Sequence, residues 1–272
     1  MALGIAGLVR AQEPGNVPET KAPAPTRVAP PSNAAPGLTP SGHPQNAYWT
    51  AHDRQLLTDF GWLARFKEDD VKLGPLAPGE NRVVFMGDSI TDGWGRGNNG
   101  SQFFPGKPYI NRGISGQTTS QMLVRFHQDV VALHPKAVVI LAGTNDIAGN
   151  TGPIRNEDIE ANYASLADLA RANQIAVVFS SILPVHNYTE RSKEPFAQRP
   201  PARILALNAW LKDYCATNGI VYLDYFSAMI DEKGLLKLDL AEDGLHPNVV
   251  GYKLMVPMAE AAIAKALANP KP

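Results

Sequence analysis

Cysteine, one-sided charge and long apolar runs are scarce in this chain of 272 residues, and each scarcity excludes something. A single cysteine, Cys215, rules out a disulfide within the chain. It recurs with Ile204, Leu207 and Leu211 at helical spacing, which predicts a buried, inert thiol. The 25 basic and 26 acidic residues leave a formal charge of −1, with no footprint for nucleic acid or an anionic membrane. No stretch approaches the ~20 apolar residues that a bilayer-spanning helix needs. His43, His52, His127, His134, His186 and His246 are scattered without HExxH or other paired-ligand spacing, so no metal site is expected. The glycine-rich stretch 92–100 lacks both the Walker lysine pattern and GxGxxG, and reads as a mobile loop rather than a phosphate cradle.

What is present divides the chain into three parts. Within residues 1–11, Ala2 to Val9 is small and apolar, and Val9-Arg10-Ala11 before Gln12 has signal-peptidase character, although no basic region precedes the apolar run. The expectation is a signal-peptide remnant and export to the periplasm or medium, with a cytoplasmic terminus as the alternative. Residues 12–47 include nine prolines between Pro14 and Pro44 and almost nothing large and apolar, which predicts a disordered tether. Residues 48–272 form one domain, opening with an amphipathic helix across 53–69 marked by Leu56, Leu57, Phe60, Leu63 and Phe66.

From Arg82 onward, short apolar runs alternate with helical periods. Val83 to Met86, Tyr109-Ile110, Ala137 to Leu141, Ile175 to Phe179 and Ile220 to Leu223 are five strand candidates. Their β-branched runs lack polar alternation, as strands covered on both faces do. Helical periods lie between them at Met122, Leu123, Phe126 and Val130, at Ile159, Tyr163, Leu166 and Leu169, and around Cys215. The pattern implies an α/β fold, an open, doubly wound parallel sheet. The longest irregular segment, 184–201, follows the fourth strand, where ligands collect in such sheets.

Four segments carry the chemistry. Ser89 in Gly87-Asp88-Ser89-Ile90-Thr91 follows the first strand as a candidate nucleophile, or as a plain helix cap. Gly113 in Asn111-Arg112-Gly113 could aim a backbone N–H at an oxyanion, or simply turn the chain. Asn145 in Gly143-Thr144-Asn145-Asp146 offers a carboxamide to the same charge. Asp243 and His246, in Asp243-Gly244-Leu245-His246-Pro247, could form an orienting carboxylate and a base. Backbone N–H groups of Ser89 and Gly113 with the Asn145 amide would make the oxyanion hole. The set suits ester hydrolysis through an acyl-enzyme. Trp94 and His186 are candidate substrate contacts, Trp94 being equally able to anchor its loop. No apolar lid is visible, so short acyl esters are expected over interfacial lipid.

The blocks GDSIT, NRGISGQTT, GTND and DGLHP resemble those of the SGNH hydrolases, or GDSL esterases and lipases, from about Arg82 to Leu267. Ser89, Gly113, Asn145 and His246 match the four residues that name that family. The resemblance implies a three-layer, flavodoxin-like fold, a Ser-His-Asp triad and no cofactor. The form of the second and third blocks is similar to the branch of platelet-activating-factor acetylhydrolase subunits and bacterial acyl or carbohydrate esterases. Carbohydrate deacetylation, lysophospholipase activity and acyl transfer all remain open. Gln117 stands where that branch often has aspartate, and Pro257 is expected to interrupt the last helix.

Overall fold

The run Val83–Gly87 is buried at all five positions in the protein's computed structural model, so its lack of polar alternation reflects cover on both faces. The structure describes residues 46–96 and 100–268. In chain order these form α1 (Ala47–Thr58), α2 (Lys67–Leu73), β1 (Val83–Gly87), α3 (Ser89–Asp92), β2 (Tyr109–Gly113), α4 (Thr119–Asp129), β3 (Ala137–Leu141), α5 (Thr144–Ile147), α6 (Asn156–Ala172), β4 (Ala176–Ser180), α7 (Lys193–Gln198), α8 (Pro201–Asn218), β5 (Val221–Leu223), α9 (Tyr225–Met229) and α10 (Val249–Ala268).

The strands make one parallel sheet in the order β2-β1-β3-β4-β5. Alternate side chains separate into two cores. Val84, Met86, Val138, Ile140 and Phe179 pack with Phe126 of α4, Tyr163 of α6 and Leu207 of α8. Val83, Phe85, Val139, Leu141 and Val178 pack with Met255, Ala259 and Ile263 of α10. The period of two therefore builds three layers, helices on either side of the sheet. Gly87 lies level with Gly113 on one neighbour and Leu141 on the other, so three strands end at one height. The segments that follow them emerge together at the carboxyl edge, beside the reversal of strand order at β1 and β3.

Three expectations are corrected. The helix across 53–69 is two helices, because Asp59 accepts the N–H groups of Leu63 and Ala64 at 2.8 and 3.0 Å and turns the chain. Only Phe66 of its five apolar residues is buried; Leu57 faces solvent. Segment 184–201 is partly helical, with a 3-10 turn at Glu190–Ser192 capped by Thr189 and then α7. Pro257 lies inside α10 without ending it. Pro257 and Lys253, whose carbonyl it would otherwise bond, both face solvent, so water can satisfy the freed group.

Cys215 is buried, and burial pushes its thiol up to about 12, so it stays protonated. Among the described residues no helix is long and apolar enough to cross a membrane. The expected signal remnant at 1–11, all but the last two residues of the tether, and 97–99 of the glycine-rich stretch lie outside the described residues.

Candidate active site

Asp88 caps α3, its Oδ1 accepting the Ile90 N–H at 2.9 Å, which makes Ser89 the first helical residue. The Ser89 N–H has no acceptor within the helix, and none is found for it among the described residues. Asn111, at the end of β2, clasps this turn by donating from Nδ2 to the carbonyls of Thr91 and Trp94 at 2.6 and 3.1 Å.

Across from it, the turn before α10 presents His246. Asp243 Oδ1 accepts the backbone N–H groups of Leu245 and His246 at 3.0 and 2.8 Å. Its Oδ2 lies 2.7 Å from His246 Nδ1. A carboxylate there requires the proton on Nδ1 and leaves Nε2 as an acceptor. Nε2 lies 2.8 Å from Ser89 Oγ, so the hydroxyl donates to it. Burial alone would raise the Asp243 carboxyl, but the His246 hydrogen bond and charge and the two backbone N–H groups outweigh it and hold it well below its usual range. The structure thus joins Ser89, His246 and Asp243 in one hydrogen-bonded chain across the sheet edge.

Asn145 is the second residue of α5 and is buried just beyond the end of β3. Its carboxamide is held from both ends: Nδ2 donates to the Gln117 carbonyl and Oδ1 accepts from Arg199 Nη2, each at 3.1 Å. Arg199 also donates from Nε to Thr144 Oγ1 at 3.0 Å. One Nδ2 hydrogen remains uncommitted.

The expected role of Gly113 does not fit. Its N–H is donated to Asn111 Oδ1 at 2.9 Å and is unavailable to an oxyanion. Glycine is needed there for space, since a Cβ would fall 2.1 Å from the Asp92 nitrogen. Gly116, three residues on, has φ of 80°, and no acceptor for its N–H is found among the described residues.

Ser89 and His246 open on a cleft of about 480 Å³ lined also by Arg65, Asp92, Gly93, Arg96, Ser115, Pro247 and Tyr252. Among the described residues no group of three or more His, Cys, Asp or Glu is placed to hold a metal ion.

A family model for the GDSL-like lipase/acylhydrolase family matches residues 85–254. The chain belongs to that family. A solved structure from Bacteroides fragilis is 41% identical, with a TM-score of 0.71, covering 77% of this chain and 99% of that one. A GDSL-like lipase from Bacteroides thetaiotaomicron is 40% identical, with a TM-score of 0.69, covering 76% and 100%. An acetylxylan esterase of Xylanibacter ruminicola is 27% identical over 254 residues, 79% of this chain. This chain spans 48% of that relative's length.

Neither candidate substrate contact of this GDSL-like site lines the cleft: Trp94 takes its alternative role as a loop anchor, and the expectation for His186 is corrected. Trp94 is 2% exposed and packs among Phe85, Phe103, Phe104 and Tyr252, with Nε1 donating to the Gln102 carbonyl at 3.2 Å. It anchors the loop after α3 instead of lining the substrate pocket. His186 is fully buried, with Nε2 donating to the Ala241 carbonyl at 2.7 Å and Nδ1 accepting the Tyr188 N–H at 3.2 Å. Its backbone N–H also reaches the Gly244 carbonyl at 3.2 Å. It therefore holds the turn carrying Asp243 and lies outside the cleft lining. Gln117, the departure from aspartate, is buried: Oε1 accepts from Arg125 at 2.5 Å and Nε2 donates to the Gly61 carbonyl at 2.9 Å. Arg125 in turn donates to the Gly87 and Arg112 carbonyls, tying the ends of β1 and β2 together. Sequence reasoning gave no role to Gly116, a glycine of the second block, nor to Arg199. The only signal of Arg199 was a cation in the segment after the fourth strand.

Proposed function

We propose that this chain is a serine esterase that removes short acyl groups, acetyl foremost, through an acyl-enzyme on Ser89. The observation that carries the reading is the chain from Ser89 Oγ through His246 to Asp243, with spans of 2.8 and 2.7 Å. His246 Nε2 takes the Ser89 proton as Oγ attacks the ester carbonyl, and Asp243 stabilises the imidazolium that forms. The oxyanion is met by the Ser89 N–H, the free Asn145 Nδ2 hydrogen and the Gly116 N–H, which takes the place first given to Gly113. His246 returns the proton to the departing alcohol, then activates water to hydrolyse the acyl-enzyme.

Arg65, Asp92, Arg96 and Ser115 make the cleft wall polar, which suits a small acyl group on a polar alcohol better than a long acyl chain. Likeness to an acetylxylan esterase favours an acetylated carbohydrate as that alcohol. The small apolar character of Ala2 to Val9 supports export, which would bring the enzyme to extracellular polysaccharide.

Hydrolysis of p-nitrophenyl esters from acetate to laurate, compared with Ser89→Ala, tests the assignment. Rates should peak at the shortest chains and fall at least about 10⁴-fold in the variant. Equal rates in both proteins would remove Ser89 as the nucleophile.

A further inference from the structure

Two arginines share the cleft with Ser89 and His246, and they have one carboxylate between them. Asp92 Oδ1 lies 3.2 Å from Arg96 Nη1 and 4.0 Å from Arg65 Nη2. The other oxygen, Oδ2, is taken by Ser115, whose hydroxyl and backbone N–H donate to it at 2.8 and 3.3 Å. Asp92 thus spends its close contacts on Arg96 and Ser115 and meets Arg65 only at ion-pair distance.

Arg96 is fixed from a second side, its Nη2 donating to the Asn111 carbonyl at 2.7 Å. Arg65 is not. Its side chain is 36% exposed, and among the described residues its guanidinium makes no hydrogen bond, only the ion pair at 4.0 Å. Both guanidiniums rest on the Phe66 ring, 4.9 and 5.2 Å from its centroid, so the aromatic face holds them at the cleft without consuming their donors. Arg112 lies on the same ring, but Asp70 matches its charge. Burial, joined by the charges of Arg65 and Arg112, holds the Arg96 guanidinium below its ordinary range in spite of Asp92. The cleft wall thus carries an uncompensated positive charge and a free donor fork. A guanidinium in that state matches a planar or tetrahedral oxyanion.

We propose that the cleft selects esters whose alcohol portion bears an anionic group, a carboxylate or a phosphate, and that Arg65 binds that group while Arg96 and Phe66 hold it in place. This rests on the esterase reading and narrows its substrate: among carbohydrate esters, it favours acetylated uronic acids or sugar phosphates over neutral sugars.

Acetate release tests this on matched pairs: a mono-acetylated uronic acid glycoside against its uncharged primary amide, and a mono-acetylated hexose 6-phosphate glycoside against its unphosphorylated parent. Wild type should favour at least one anionic member by about tenfold in kcat/KM at low salt, mostly through KM. That ratio should shrink at about 0.5 M salt, where charges are screened over a few ångströms. Arg65→Gln should bring the ratio to about one, and Arg65→Glu should push it below one. Preference for the uronate alone or the phosphate alone supports the site and names its source. A wild-type ratio near one for both pairs, or a ratio that neither variant changes, overturns the proposal. Should p-nitrophenyl acetate and all four sugars resist hydrolysis, the esterase reading fails. Calorimetric titration with the deacetylated uronate and sugar phosphate would then still decide the anion site, since it survives only if wild type binds one of them and Arg65→Gln does not.

Discussion

Asp88 and Asp243 both lie at the carboxyl edge of the sheet, one in the loop after β1 and one in the turn before α10, yet their surroundings drive them in opposite directions. Asp88 is wholly buried and its Oδ1 accepts one N–H; among the described residues its Oδ2 has no partner. Burial pushes it up to about 6, against the Ile90 N–H and the charges of His246 and Arg199. Asp243 is also desolvated, but three N–H donors and the imidazole charge reverse the effect. Burial sets the cost of the charge in both places. The number of donors decides whether the charge is kept.

Asp243→Asn strikes this contrast hardest. An amide cannot hold the Nδ1 tautomer, so kcat should fall about 10⁴-fold with the circular dichroism spectrum unchanged. A loss under tenfold would show that Asp243 does not orient His246.

Asn145→Ala comes next, at about 100- to 1,000-fold in kcat with KM nearly constant. Arg199→Met should give a smaller loss of the same kind, about ten- to a hundredfold, because the carboxamide remains but loses the guanidinium that aims it. A rise in KM at constant kcat in either variant would instead mark ground-state substrate binding.

The smallest effect is on stability. A carboxyl whose folded pKa is raised contributes stability that is fully present below the unfolded value and lost as pH climbs through the folded one. For Asp88 that window runs from the ordinary 3.8 to about 6, and Asp146, raised to about 6 chiefly by its own burial, shares it. Asp88→Asn, which keeps an acceptor for Ile90, should therefore flatten the decline in this range, by on the order of 1–3 kcal/mol in urea melts at several pH values. An unchanged slope would mean that Asp88 does not titrate there. Asp243 has the opposite sign: its contribution is present above the unfolded carboxylate range and is lost as acid approaches its depressed folded value.

Strands were legible because apolar β-branched runs need cover on both faces, and the helices at Met122, Ile159 and Cys215 because their apolar period matched one buried stripe. The short dyad turn was legible for a similar reason: Asp243 and His246 lie three residues apart and meet through local backbone geometry. Roles that depend on distant partners were not. Trp94 and His186 look like pocket residues only until the aromatic cluster and the Ala241 carbonyl that bury them are in place. Gly113 fails for a different reason, a local one: the Asn111 side chain, two residues earlier, folds back and takes its N–H.

By itself the sequence determined a doubly wound sheet, the order of its strands along the chain and the side-chain types gathered at its carboxyl edge, because periodicity and strand-end position are properties of neighbours in the chain. Only the tertiary structure decided which of those side chains meet and in what electrostatic state. Ser89 and His246 are 157 positions apart, and Asn145 and Arg199 are 54. Their hydrogen bonds, and the burial that raises one aspartate while donors lower another, exist only once the sheet has brought its strand ends to one level.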